Sequence, residues 1–99
     1  MKISIIIPCF NEVDTIEKIV EKVKNQEQFE KEIIIVDDFS TDGTREIIKK
    51  KLEGKIDKLL LNNKNFGKGY CIIKASEFAL NKGYKYLLTI DSDLQHDPS

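Results

Sequence analysis

The stretch EIIIVDDFSTDGT, residues 32–44, sets a run of aliphatic residues directly against two carboxylates and a turn. Ile33 to Val36 show no alternation of apolar and polar residues. A strand with one wet face alternates, whereas an unbroken β-branched run reads as a strand covered on both faces. The next segment, STDGT, has the chemistry of a turn that opens a helix. A buried strand, a polar turn and a helix in that order make one β-α step of a layered α/β fold.

The rest of the chain repeats the step. Three other short apolar runs stand out: ISIIIP (3–8), KLLLN (58–62) and YLLTID (86–91). Between the four runs lie three segments of helical period. In DTIEKIVEKVKNQ (14–26), Ile16, Ile19, Val20 and Val23 share one face, and Asp14 with Glu17 predicts a capping box. GTREIIKKKLEG (43–54) gathers Ile47, Ile48 and Leu52, with Gly54 as its stop. GYCIIKASEFALNKG (69–83) gathers Ile72, Ala75 and Ala79, with Gly83 as its stop. The order β-α-β-α-β-α-β predicts an α/β fold, a parallel Rossmann-like sheet with alternating helices and right-handed crossovers. Ninety-nine residues suit a single domain.

Composition narrows the function classes. A net charge of −1, with Arg45 the only arginine, argues against a nucleic-acid partner. Cys9 and Cys71 belong to no CxxC pair and read as reduced thiols. No apolar run approaches the ~20 residues of a membrane span, and no signal peptide is visible. The chain is expected in the cytoplasm, with membrane association open to a longer protein.

In an open α/β sheet, ligands bind outside the carboxyl ends of the strands. Polar clusters follow every apolar run here: CFNE (9–12), DDFSTDGT (37–44), NNKNFGKG (62–69) and DSDLQHD (91–97). Ser40, Thr41 or Asp42 could simply cap the second helix. The GKG at 67–69 could be a flexible turn or a phosphate contact, with Lys68 beside it. Asp91 and Asp93, at i and i+2 of extended chain, would point the same way about 6.5 Å apart. A hard divalent cation would relieve their repulsion, and Gln95 could add a third oxygen. The plain alternative is a solvated acidic turn before a proline. His96 has no Cys or His near it in sequence, so zinc is not expected. There is no P-loop and no GxGxxG after the first strand.

Taken in order, IIIPCFNE, IIIVDDFSTDGT, NFGKG and TIDSDLQHDP resemble the nucleotide-binding half of family-2 glycosyltransferases of the GT-A fold. DSDLQHDP is most similar to the branch of dolichol-phosphate mannose synthase and related polyprenyl-phosphate or cell-envelope transferases. The resemblance spans the chain and implies roles at matched positions. Pro8, Phe10 and Glu12 would line a nucleoside pocket, with Asn11 bracing the turn. Val36, by its backbone, and Asp38 would hold the base, and Lys68 would face the diphosphate. Asp91, Ser92 and Asp93 would form the DxD, with Asp91, Asp93 and Gln95 on Mg²⁺ or Mn²⁺. Phe39 stands where the family usually has Gly.

The implied reaction is transfer of a sugar from a UDP- or GDP-sugar to a lipid phosphate or glycan acceptor. The family's catalytic base and acceptor pocket lie beyond the DxD. The chain is therefore expected to be a donor-binding part, residues 1–99, truncated after that motif and inactive alone. Surface left bare by a missing second half would favour self-association. Two rivals remain. One is a non-catalytic nucleotide-binding or interaction module. The other is a haloacid dehalogenase-like phosphatase, whose DxD follows the first strand rather than the fourth.

Overall fold

A computed structural model describes residues 2–26 and 30–90. Its elements run β1 (Lys2–Cys9), α1 (Ile16–Lys24), β2 (Glu30–Asp37), α2 (Thr44–Ile47), β3 (Lys58–Leu61), α3 (Lys68–Asn81) and β4 (Tyr86–Thr89). The expected alternation is present in full among the described residues. Helix α2 continues through a π turn (Ile48–Leu52) and a 3₁₀ turn (Glu53–Lys55), where one regular helix was expected. This irregular stretch still turns Ile48 and Leu52 inward and Lys49, Lys50 and Lys51 outward.

The sheet has the order β3-β2-β1-β4, and every pair is parallel. Ile5, Ile6 and Ile7 of β1 stand beside Ile33, Ile34 and Ile35 of β2. Successive side chains on a strand point to opposite faces. Ile5, Ile7, Ile33 and Ile35 therefore meet Ile16, Ile19, Val20, Val23, Ile48 and Leu52 from α1 and the α2 segment. Ile6, Ile34 and Val36 meet Cys71, Ala75 and Ala79 of α3 on the other face. The small side chains of α3, spaced by four, let its backbone come close to those bulky strand residues. Ile72, expected on that stripe, is only half-buried, and Cys71 takes its place. Fully burying one Ile contributes about 1.5–3 kcal/mol, so the two central strands carry most of the core.

Two features lie outside the apolar pattern. Glu32 is buried on the α3 face, where Ser4 Oγ donates to it at 3.2 Å and Lys82 Nζ at 2.7 Å. On the opposite face, Tyr86 and Leu88 of β4 stand beside Ile3 and Ile5 but remain exposed. Beginning from β1, the sheet grows one way through β2 and β3 and the other way to β4. The reversal of strand order lies between β1 and β4, and in an open α/β sheet the carboxyl edge beside such a reversal is where ligands bind.

Helix α1 does not begin with the expected capping box. Its N-cap is Thr15, with no side-chain cap, and the carbonyl of Glu12 accepts from the N–H groups of Thr15 and Ile16 at 3.0 and 2.9 Å. The Glu12 N–H is itself held by Thr44 Oγ1 at 2.9 Å. The start of α1 is thus set by a neighbouring loop rather than by Asp14. The end of α3 matches expectation: Gly83 has φ +94°, its N–H donates to Leu80 O, and Tyr84 N–H reaches back to Ala79 O. This is a Schellman closure. A Cβ at Gly83 would meet no atom within 4 Å, so Gly83→Ala tests the backbone term alone. Urea denaturation should show a loss of about 1–2 kcal/mol with an unchanged m-value; no loss would mean that the chain can leave α3 by another turn.

Candidate functional site

The carboxyl edge is built around Asp37 and Asp38, which end β2 and turn to opposite faces. Both are buried, at 0% and 4% exposure. On the face of α1 and α2, Asp37 Oδ1 accepts from Ser40 Oγ at 2.6 Å and from the Cys9 thiol at 3.5 Å. Its Oδ2 accepts from Ser40 N–H at 2.9 Å and from Arg45 Nε. The same guanidinium donates to the carbonyl of Asn62, at the end of β3. One arginine therefore pins the ends of two strands.

Asp38 faces α3. Its Oδ1 accepts from Asn62 Nδ2 at 2.8 Å and from Phe66 N–H at 2.9 Å, and its Oδ2 accepts from Gly67 N–H at 2.8 Å. Burial pushes the Asp38 carboxyl up. The N–H groups of Phe66 and Gly67, with the Asn62 amide, outweigh it and hold the group below the usual carboxylate range. Asn62 is itself buried, accepts from Lys74 Nζ at 2.7 Å and donates to Cys71 Sγ at 3.4 Å.

The loops after β1 and β2 are sewn to each other. Asn11 N–H donates to Ser40 Oγ at 2.8 Å, and Thr41 N–H returns to Asn11 Oδ1 at 2.8 Å. Val13 N–H reaches Asp42 Oδ2 at 3.3 Å, while Asp42 Oδ1 accepts from Thr44 N–H at 3.0 Å. Asp42 thus serves the start of α2 and the β1 loop together. Burial raises its pKa, but the Thr44 hydroxyl and N–H and the Val13 N–H more than compensate, and the net direction is down. Asn11 and Phe39 both take left-handed backbone, with φ +53° and +70°. Asn tolerates it readily; a bulky aromatic residue rarely does.

Several of the expected residues come together at this edge. Phe10, Asn11 and Glu12 leave β1 there, and Lys68 opens α3 directly after the Gly67 N–H that meets Asp38. Phe10 is exposed, as are Phe39, Phe66 and Tyr70, so four rings stand at the carboxyl edge. Phe66 and Tyr70 stack on each other, with centroids 4.2 Å apart. Pro8 and Val36 are register partners inside the sheet and are buried. Asp91, Ser92, Asp93 and Gln95 lie outside the described residues; β4 ends at Thr89, and the Ile90 N–H still donates to Ile6 O at 2.9 Å. Among the described residues, no three His, Cys, Asp or Glu side chains gather to hold a metal. No helix of the described residues is long and apolar enough to cross a membrane.

Sequence reasoning passed over Asp37, Thr44, Arg45 and Asn62. The available signal was position: Asp37 and Asn62 stand at or just beyond a strand end, and Thr44 and Arg45 open α2. Cys9 and Cys71 are buried thiols. Burial, then the neighbouring Asp37, raises Cys9; burial, then Asp38, pushes Cys71 up to about 11. Both remain protonated and poorly nucleophilic, in keeping with the expected reduced state.

Comparisons with known proteins agree with this architecture. A family model described as "Glycosyl transferase family 2" matches residues 4–99. An uncharacterized protein of Methanocaldococcus jannaschii is 41% identical over 96 residues, which cover 94% of this chain and 41% of that protein. The putative teichuronic acid biosynthesis glycosyltransferase TuaG of Bacillus subtilis is 39% identical over 93 residues, covering 92% of this chain and 35% of TuaG. The crystal structure of S. aureus TarS in complex with UDP superposes with a TM-score of 0.77 at 28% identity, covering 94% of this chain and 28% of that one. The chain thus spans less than half the length of the relatives it matches.

Two measurements test the frame. Arg45→Met leaves the wholly buried Asp37 carboxylate without its cation, and chemical denaturation at pH 7 should show a loss of about 3–5 kcal/mol. A loss below about 1 kcal/mol would mean that hydrogen bonds from Ser40 suffice. For Asp38, the folded pKa lies below the ordinary 3.8, so its contribution is complete above about pH 4 and is lost as pH falls through the folded value. Asp38→Asn should cost about 1.5–3 kcal/mol at pH 7 and show a shallower acid decline than the wild type, the remainder coming from Asp42. Parallel declines of the two proteins would refute the assignment.

Proposed function

The chain belongs to glycosyl transferase family 2, and on that basis we propose that its carboxyl edge holds the nucleotide-sugar donor of a sugar-transfer reaction. The observation that carries this reading is the joining of three strand-end loops around Asp37 and Asp38, on the edge where strand order reverses. Loops tied to one another in this way are ordered before any ligand arrives, which lowers the entropic cost of binding. That TarS is solved with UDP on the same fold supports a nucleotide in this position.

Across this edge, β2 and β4 are two strand spacings apart, about 10 Å. The base end of a donor would sit by Asp38 and Phe10, with Val36 and Pro8 beneath as floor. Asn11 and Glu12 would hold the turn beside the ribose. The diphosphate would run towards the end of β4, with Lys68 offsetting its charge. Asp91, Asp93 and Gln95 would hold Mg²⁺ or Mn²⁺, and Ser92 would lie against the diphosphate. When bound, the metal would supply positive charge to the leaving diphosphate. The chain's own part is to orient the donor and to keep the base end away from water. The acceptor would be a lipid phosphate or a glycan, and the base that serves a hydroxyl acceptor would come from beyond residues 1–99.

Calorimetric titration of the chain with UDP and with GDP, each with and without Mn²⁺, tests the proposal. Binding of at least one nucleotide, strengthened by Mn²⁺, is expected. Asp93→Ala should abolish the metal dependence while leaving the fold intact by circular dichroism. Folded protein that binds neither nucleotide would sink the donor-site reading.

A further inference from the structure

Phe39 is placed at a cost that the fold does not explain. It lies between two pinned residues: Asp38 is held by Phe66, Gly67 and Asn62, and Ser40 is held by Asp37 and Asn11. Those bonds force the backbone at position 39 to φ +70°. Glycine takes that conformation freely, while a residue with a Cβ does so under strain. Phe39 is not a core residue in return, since it stays 42% exposed. The Arg45 guanidinium stands 5.6 Å from the ring centroid, and Arg45 is already engaged by Asp37 and Asn62. Neither backbone geometry nor core packing accounts for an aromatic side chain here. Strain and exposed apolar surface kept together at a ligand edge point to use rather than stability.

We infer that the Phe39 ring is a stacking platform for the nucleobase of the donor. This role rests on the donor-binding reading and falls to a residue which that reading does not need. The placement is suited to the task. Phe39 directly follows Asp38, on the β2 side of the edge, and Phe10 leaves the neighbouring strand β1 at the same edge. A flat base entering there would meet an exposed π face whose orientation is set by a rigid turn. The guanidinium beside the ring helps to hold it in place, as a cation over an aromatic face does. Stacking is tolerant of base identity, because purines and pyrimidines both present a π face.

The test uses the whole chain with Mn²⁺ present. Affinities for UDP and GDP are measured for wild type, F39L, F39Y and F39G, with urea midpoints on the same samples. F39L keeps an apolar side chain at the strained position but removes the π face, and should bind both nucleotides about tenfold more weakly. F39Y keeps the ring and should bind within about twofold of wild type. F39G should lose affinity as F39L does while its urea midpoint holds or rises, because the strain is relieved. F39L binding like wild type, or F39Y losing as much as F39L, would overturn the assignment. A lowered midpoint for F39G would also overturn it, making the ring a cover over the Arg45–Asp37 pair. Wild-type protein that binds neither nucleotide is a separate failure, of the donor reading itself, and takes this inference with it.

Discussion

Two adjacent carboxylates at the end of a buried strand are the constraint around which the carboxyl edge is arranged. Asp37 and Asp38 leave β2 on opposite faces of the sheet, and neither has solvent to stabilise its charge. A buried carboxylate has to be met by donors or a cation. Asp37 takes its donors from Ser40, Cys9 and Arg45, and Asp38 takes its own from Asn62, Phe66 and Gly67. The donors come from the end of β1, the loop after β2, α2 and the loop after β3, so satisfying two charges fixes four pieces of chain. The electrostatic requirement of β2 becomes the geometry of the edge.

The cross-links among the loops extend this frame. Asn11 donates to Ser40 and accepts from Thr41, joining the β1 and β2 loops, and Thr44 holds Glu12, which in turn starts α1. A helix start is therefore controlled from a residue 32 positions away in sequence. The two non-glycine residues with positive φ among the described residues, Asn11 and Phe39, sit at the joints of this network. Polar bonding on either side holds them there, and the edge presents four exposed rings on a backbone with little freedom to rearrange. Such a surface suits a flat, charged ligand better than a flexible loop would, because ordering costs are met during folding.

Much of this was legible in the sequence. The unbroken aliphatic runs marked all four strands as doubly covered; that holds for β1 and β2, while β3 and β4, at the two edges of the sheet, stay half-buried or exposed. Helices α1 and α3 lie within two residues of their expected starts. Gly83 closes α3 as expected, because a left-handed C′ position is a local requirement that a local residue meets. The capping box at Asp14 was not formed, because tertiary hydrogen bonds to Glu12 and Asp42 outcompeted a local cap. Ile72 yielded to Cys71 on the core stripe of α3, a rotation too small for periodicity to resolve. Of the candidate site, Phe10, Asn11, Glu12, Asp38 and Lys68 come to one edge, while Asp91, Ser92, Asp93 and Gln95 lie beyond the described residues. The parts that went unread were partners: Arg45, Asn62 and Thr44 matter through what they touch, and nothing in their local sequence names the residue across the gap.

The sequence by itself determined the alternation of strands and helices, the burial of both faces of β1 and β2, and, among the described residues, the position of the polar clusters at the strands' carboxyl ends. These arise from side-chain periodicity and turn chemistry, which act over a few residues. Only the tertiary structure decided the strand order, the division of labour between Asp37 and Asp38, and the strained setting of Phe39. Each depends, at least in part, on groups that meet across 20 or more residues of chain, such as Cys9 with Asp37 and Phe66 with Asp38. In the pair DD of EIIIVDDFSTDGT the two levels join: local sequence placed two acids at a strand end, and the sheet's two faces gave them different work.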